Sequence, residues 1–290
     1  MNDFGAVLVV GAGTMGAGIA EVAAKAGASV TLADIRKDQL ISATAAIERS
    51  LGKAVDKGKI SQEDASAALG RVDFRTEADG TEKDLIIEAV SENMGLKKDL
   101  FQRLGSEAPE AVLASNTSSL SITELAASAM NPRRVIGLHF FNPPPIMPLI
   151  EIVRAEQTAP EVIQRAESWA VSLGKSPIIV RDMPGFATSR LGVALGLEAI
   201  RMLETAVADV AAIDRAMELG YRHPMGPLKL TDLVGLDVRL AIADHLTREI
   251  GPQFAPPPLL RQLVRAGKLG KKTGEGFYIW TTEGPIPSRR

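Results

Sequence analysis

The feature that most constrains this 290-residue chain lies at its start. Five apolar residues, Ala6–Val10, run straight into Gly11-Ala12-Gly13-Thr14-Met15-Gly16, and an alanine-rich stretch follows to residue 26. An apolar run without alternation suits a strand buried on both faces. Residues 14–26 read as a helix that stops near Gly27, and Ser29–Ala33 as a second strand closed by Asp34. Strand, glycine turn, helix and strand within roughly 30 residues make a βαβ unit. A G-x-G-x-x-G run alone is weak evidence, but between a strand and a helix each glycine acquires a task. Gly11 permits the tight turn, Gly13 lets backbone approach a pyrophosphate, and Gly16 lets the helix close on the strand. The helix N-terminus adds unpaired N–H groups and partial positive charge for the phosphates. Asp34 can accept hydrogen bonds from ribose hydroxyls and repels a 2′-phosphate, which favours NAD over NADP; Arg36 softens that preference. Gly11, Gly13, Thr14, Met15, Gly16 and Asp34 are therefore the candidate cofactor-binding set. The fingerprint by itself does not reject FAD.

Alternation continues beyond this unit. Strands are expected over residues 72–74, 84–89, 111–115, 135–140, 149–153 and 176–181. Helices are expected over 38–56, 96–106 and 160–173, with a turn and cap at 58–61. This order implies an α/β fold, a Rossmann-like, mostly parallel sheet with helices on both faces. After Asp182-Met183-Pro184-Gly185 the pattern becomes helical, with helices expected over 186–204, 210–219, 227–250 and 258–266 and no strand before the tail. The boundary falls near Pro184: residues 1–183 form a dinucleotide-binding domain and 184–290 a smaller, all-helical one.

Composition removes several function classes. There are no cysteines, so disulfides, thiolate metal sites and a cysteine nucleophile are excluded. A net charge of −2 gives no basic field for nucleic acid. The apolar stretch 191–200 is too short to span a bilayer and contains Glu198. No basic or cleavable leader precedes Ala6, so a cytoplasmic protein with no membrane partner is expected.

Of the three histidines, His139 ends an expected strand within Gly137-Leu138-His139-Phe140-Phe141-Asn142-Pro143. Reactive groups in doubly wound sheets gather outside the carboxyl ends of strands. An imidazole there can take a hydroxyl proton as general base, given a carboxylate to orient it and stabilise its charged form. Glu151 lies in the apolar run Leu149-Ile150-Glu151-Ile152-Val153, where a carboxylate is costly unless paired. From the residues alone, a structural histidine and an edge glutamate remain the favoured readings. His223 reads as a loop residue and His245 as a helix-surface residue, and nothing near them suggests a metal site.

The run His139-Phe140-Phe141-Asn142-Pro143, together with Ser115-Asn116-Thr117-Ser118-Ser119, strongly resembles the 3-hydroxyacyl-CoA dehydrogenase family. So do Asp182-Met183-Pro184-Gly185-Phe186, His223-Pro224-Met225-Gly226-Pro227 and the stretch Gly270 to Tyr278. The stand-alone 3-hydroxybutyryl-CoA dehydrogenases are the nearest likeness, without an added hydratase domain. The resemblance implies NAD-dependent oxidation of an (S)-3-hydroxyacyl-CoA to its 3-oxoacyl-CoA, reversibly, on short acyl chains. It makes His139 and Glu151 the catalytic pair. Ser118 and Asn142 would contact the substrate oxygen or thioester and border the cofactor, and Glu92 and Lys97 would sit near the nicotinamide ribose. It further implies a homodimer formed through the helical domain, with the acyl-CoA held in a cleft between the domains. Without the resemblance, Ser118 reads as a helix cap, Asn142 as a turn residue, and Glu92 and Lys97 as a solvated helix start. One position departs from the family pattern: Ser189 stands where many relatives carry asparagine, which bears on substrate contacts at the thioester. The basic stretch 268–272 could meet CoA phosphates or be a solvated loop. The rivals are a hydroxyacid dehydrogenase on the same scaffold and a binding relative without fast turnover, such as the lens crystallins of this family.

Overall fold

The apolar run Ala6–Val10 forms β1, and its last four residues are buried. The glycine turn releases the chain into α1 (Thr14–Lys25), whose small residues are covered along almost the whole helix. Gly27, at a φ of +95°, ends that helix and returns the chain to β2 (Ser29–Ala33). The computed structural model describes residues 4–288. Next come α2 (Lys37–Asp56), α3 (Gln62–Gly70), β3 (Val72–Arg75), β4 (Leu85–Glu88) and α4 (Met94–Glu107). Then follow β5 (Val112–Ser115), α5 (Ile122–Ala126), β6 (Val135–Phe140), β7 (Leu149–Arg154), α6 (Pro160–Ser172) and β8 (Ser176–Arg181).

The eight strands form one sheet in the order β3-β2-β1-β4-β5-β6-β7-β8. β1 to β6 are mutually parallel, β7 runs antiparallel to β6, and β8 pairs parallel with β7. Strand order reverses about β1, so the carboxyl ends of β1 and β4 border the switch point where such sheets bind ligands. β4, β5 and β6 are buried along their full length, as a sheet covered on both faces requires. Trp169 of α6 anchors the β6 side of the core, edge-on to Phe4 at 5.8 Å and Phe140 at 6.4 Å. Each such buried aromatic or aliphatic side chain is worth about 1.5–3 kcal/mol of transfer free energy.

Contacts divide the chain into two compact units on either side of the Met183–Pro184 step. The second unit holds α7 (Thr188–Glu204), α8 (Val210–Arg215), α9 (Pro227–Val234), α10 (Leu236–Glu249), α11 (Pro258–Arg265) and a closing hairpin, β9 (Tyr278–Thr281) and β10 (Gly284–Pro287). Two buried carboxylates tie it together. Asp214 accepts hydrogen bonds from the first amides of α9, Leu228 at 2.8 Å and Lys229 at 2.9 Å, and from the Tyr278 hydroxyl at 2.7 Å. Asp232 accepts from the amides of Phe277 and Tyr278 and from the Trp280 indole.

Several expected boundaries differ. The single helix expected over 227–250 is two, because Gly235 takes a φ of +103° and ends α9. An isolated glycine in an apolar periodic stretch does not announce such a break. The helix expected over 210–219 relaxes after Arg215 into a wide π-helical turn, residues 216–220. Positive φ at Gly185 and Phe186 delays α7 to Thr188. Ser61 does cap a helix, α3, through a reciprocal box with Asp64. α3 itself and the short α5 carry too little periodicity to be expected. Among the described residues, no helix is long and apolar enough to cross a membrane.

Candidate active site

The glycine turn has the shape its sequence demands. A Cβ on Gly11 would lie 2.6 Å from the Ala89 carbonyl oxygen, and one on Gly16 only 1.7 Å from that of Gly11. Both positions therefore exclude any side chain. Gly13, by contrast, faces open space, is exposed and caps α1 without a side-chain hydrogen bond. A phosphate can approach that backbone and the first amides of α1, between the exposed Thr14 and the half-buried Met15. Asp34 stands beside this turn. Its carboxylate accepts from the amides of Ala12 at 2.8 Å and Arg36 at 2.9 Å. The Arg36 guanidinium turns instead to Asp38, at 2.6 Å. A cavity of about 480 Å³ opens next to Asp34, lined among others by Ile35, Thr76, Ala78 and Arg103. Ile35 is 90% exposed and presents an apolar surface there. These residues follow strand ends or lie on α4, and nothing in their local sequence marks them as a site. The turn, the carboxylate and the apolar recess together fit a dinucleotide.

His139 and Glu151 come together through sheet register. They are directly opposed on the antiparallel strands β6 and β7, and Nδ1 of His139 lies 2.6 Å from Oε2 of Glu151. Glu151 is fully buried and His139 is 8% exposed. The edge or surface position that the bare sequence favoured for Glu151 is thus overturned: β8 covers β7 on its outer side. The ring of Phe141 leans on the imidazole at 4.6 Å. With Nδ1–H donating to the carboxylate, Nε2 is the nitrogen that can exchange a proton with a ligand.

A second charged cluster sits at the ends of β4 and β5. Lys97, in the first turns of α4, is 1% exposed. Its Nζ lies 2.7 Å from Glu88 Oε1 and 3.2 Å from Glu92 Oε2. The solvated helix start that the bare sequence allowed for Lys97 is therefore wrong. Glu88 also accepts from the Val90 amide and the Ser115 hydroxyl, each at 2.7 Å. Glu92 gathers the Ser115–Ser119 loop by accepting from the Thr117 hydroxyl, the Ser118 amide at 3.2 Å and the Ser119 hydroxyl at 3.1 Å. Burial pushes the Glu92 carboxyl up, but the Lys97 charge and these hydrogen bonds outweigh it and hold the group below its ordinary value.

The same loop touches the histidine strand. Asn116 Oδ1 accepts from the Phe140 amide at 2.9 Å, joining the loop after β5 to the end of β6. Ser118 is half-buried in that loop, while Ser121 caps the helix that follows, so the cap role allowed for Ser118 is replaced. Asn142 is exposed at the start of the β6–β7 loop. Lys175 clasps that loop through the carbonyls of Pro144 at 2.6 Å and Met147 at 2.8 Å. Glu88 and Lys175 were not singled out from sequence, and Asn116, Thr117 and Phe141 entered only as members of the family-like runs, with no role of their own. Glu88 alone carried a usable signal, a carboxylate within an apolar strand, as Glu151 did.

In the second unit, Ser189 lies half-buried in the first turn of α7. The basic stretch is engaged within the unit. Lys268 pairs with Glu275, Lys272 with Asp237 at 2.6 Å, and Lys271 lies over the Trp280 ring at 5.3 Å. His223 lies in a loop, and His245 is half-buried on α10.

Comparison with known proteins agrees over most of the chain, residues 6–280. Residues 6–183 match the family model of the 3-hydroxyacyl-CoA dehydrogenase NAD-binding domain, and residues 185–280 that of the 3-hydroxyacyl-CoA dehydrogenase C-terminal domain. The chain is 45% identical over 273 residues to a probable 3-hydroxybutyryl-CoA dehydrogenase of Deinococcus radiodurans, covering 93% of this chain and 98% of that one. It is 45% identical over 277 residues to a 3-hydroxybutyryl-CoA dehydrogenase of Mycobacterium tuberculosis, covering 94% and 97%. The solved (S)-3-hydroxybutyryl-CoA dehydrogenase of Ralstonia eutropha matches with a TM-score of 0.93 at 39% identity, over 96% of this chain and 100% of that one.

Proposed function

Because the chain belongs to the 3-hydroxyacyl-CoA dehydrogenase family and carries its NAD-binding domain, we propose that it interconverts short-chain (S)-3-hydroxyacyl-CoA and 3-oxoacyl-CoA, with 3-hydroxybutyryl-CoA and acetoacetyl-CoA as the reference pair. The observation that carries this reading is the buried His139–Glu151 pair at 2.6 Å, at the carboxyl end of β6. In the oxidative direction His139 takes the C3-hydroxyl proton on Nε2. The Glu151 carboxylate fixes the tautomer from the other side of the ring and stabilises the imidazolium that results. The nicotinamide of bound NAD supplies the hydride acceptor. Ser118 and Asn142 hydrogen-bond the substrate oxygen, steadying the charge that grows there in the reductive direction. Ser189 contacts the acyl-thioester portion, with a shorter reach than an asparagine.

Gly11, Gly13, Thr14, Met15 and Gly16 hold the pyrophosphate, and Asp34 holds the adenosine ribose. Ile35 offers its apolar face to the adenine. Glu92 and Lys97 shape the loop that borders the nicotinamide ribose. The engagement of Arg36 with Asp38 favours NAD, since it leaves Asp34 as the nearer charge. A homodimer through the helical unit is supported by exposed apolar side chains there, Leu191 and Leu195 on α7, Leu233 and Val234 on α9, and Val238 on α10.

The test is the initial rate of NADH oxidation with acetoacetyl-CoA, repeated with NADPH and with free acetoacetate. Turnover confined to the thioester and faster with NADH is expected. Folded protein that reduces free acetoacetate equally well, or turns over no thioester, contradicts the proposal.

A further inference from the structure

Arg239 is the anomaly of the helical unit. It sits on α10 and is only 7% exposed, yet its Nε has no hydrogen-bond partner and no carboxylate pairs with it among the described residues. Burial alone lowers its pKa to about 10. A buried cation without a counter-charge is costly, and proteins pair such groups or give them a ligand. Several other buried charges follow that rule: Lys97 has Glu88, His139 has Glu151, and Asp214 and Asp232 are ringed by amide, hydroxyl and indole donors.

The guanidinium has been given room. It lies against the backbone of α7 at Gly192, where a Cβ would stand 3.0 Å from Nη1 and 3.5 Å from Nη2. Glycine inside a helix costs roughly 0.5–1 kcal/mol relative to alanine. Here the missing side chain leaves space for the charged group. Gly192 is three residues beyond Ser189, so the two lie on one face of α7, about one turn apart. Resting on the function proposed above, in which Ser189 contacts the acyl-thioester portion, the guanidinium lies against the same face of α7, about one helical turn from that side chain. A single, nearly enclosed guanidinium suits a flat carboxylate, which it can bind through two parallel hydrogen bonds. The multiply charged phosphates of CoA call for an open, many-cation site instead.

We propose that Arg239, admitted by Gly192, binds a carboxylate at the end of the acyl chain remote from the thioester, so that the preferred substrates are 3-hydroxyacyl-CoA esters of short dicarboxylic acids.

The experiment compares kcat and KM for NADH-dependent reduction of 3-oxoadipyl-CoA and 3-oxohexanoyl-CoA. These have the same chain length and differ only in a terminal carboxylate against a methyl; acetoacetyl-CoA is the common reference. The wild-type protein is expected to favour the carboxylated ester by at least about 30-fold in kcat/KM, mostly through KM. Arg239→Met is expected to reduce that ratio to within about 3-fold of unity. Wild-type protein that reduces acetoacetyl-CoA but handles the two six-carbon esters equally, or prefers the methyl, overturns the subsite and leaves the dehydrogenase reading intact. A wild-type preference that survives intact in Arg239→Met, with or without a change in oligomeric state, also overturns it. Absence of turnover with every thioester refutes both readings. Should Arg239→Met fail to fold, Arg239→Lys, which keeps a charge but loses the fork, is expected to lose most of the preference.

Discussion

Replacing Lys97 with methionine isolates the charge cluster behind the Ser115–Ser119 loop. Methionine keeps most of the buried aliphatic volume and removes only the ammonium. Glu88, 1% exposed, then retains its hydrogen bonds from Val90 and Ser115 but loses its only salt-bridge cation among the described residues. Breaking a buried pair by removing one partner costs about 3–5 kcal/mol, and the surviving hydrogen bonds place this case near the lower end. At about 2–4 °C per kcal/mol for a unit of this size, the expected fall in Tm at neutral pH is about 10 °C. The pH dependence has a definite sign. In the wild-type protein burial acts to raise the Glu92 carboxyl, but Lys97 and the loop hydrogen bonds hold it below its ordinary value. A lowered carboxyl contributes stability that is present above its unfolded pKa of about 4.3 and is lost as pH falls through the folded value. The variant lacks most of that contribution. The gap between variant and wild type should therefore be widest near pH 7 and narrower at about pH 3.5, below the unfolded carboxyl value. Calorimetric unfolding of both proteins at the two pH values measures this. A neutral-pH Tm within about 2 °C of wild type would refute the assignment of Lys97 as a buried counter-charge, as would a gap that widens on acidification.

Two further perturbations probe other parts of the account. Asp34→Asn keeps the hydrogen-bonding shape beside Ala12 and removes the charge; NADH-over-NADPH discrimination in kcat/KM should fall by about 10-fold or more, and an unchanged ratio would show that Asp34 does not select the cofactor. Asp214→Ala strips a buried acceptor from two α9 amides and the Tyr278 hydroxyl, so denaturant unfolding should report a loss of about 3 kcal/mol, whereas a loss below about 1 kcal/mol would mean those donors find other partners.

Much of the architecture was legible because burial on both faces leaves an unmistakable pattern. Ala6–Val10 and Leu85–Glu88 are nearly all apolar, and each became a central strand. Glu151 was only half legible: a carboxylate within an apolar run asks for a partner, but the residues alone favoured an edge position, and it was the β6–β7 register that supplied His139. Lys97 was not legible. Its neighbours Lys98 and Asp99 are those of a surface helix, and its burial follows from β4 delivering Glu88 beneath α4. The division of residues 227–250 into two helices hid in one backbone angle at Gly235. Arg239 likewise looks like any helix-surface arginine until α7 presents a glycine to it. The recurrent loss is of long-range pairing, which periodicity does not encode.

The most direct test of the central claim is the single-turnover rate of acetoacetyl-CoA reduction by His139→Gln with saturating NADH. If His139 is the group that exchanges the substrate proton, that rate falls by about 10²–10⁴-fold while NADH affinity stays within about 3-fold of wild type. A variant that transfers hydride within about 3-fold of the wild-type rate would show that the His139–Glu151 pair is a structural contact and that the chemistry lies elsewhere.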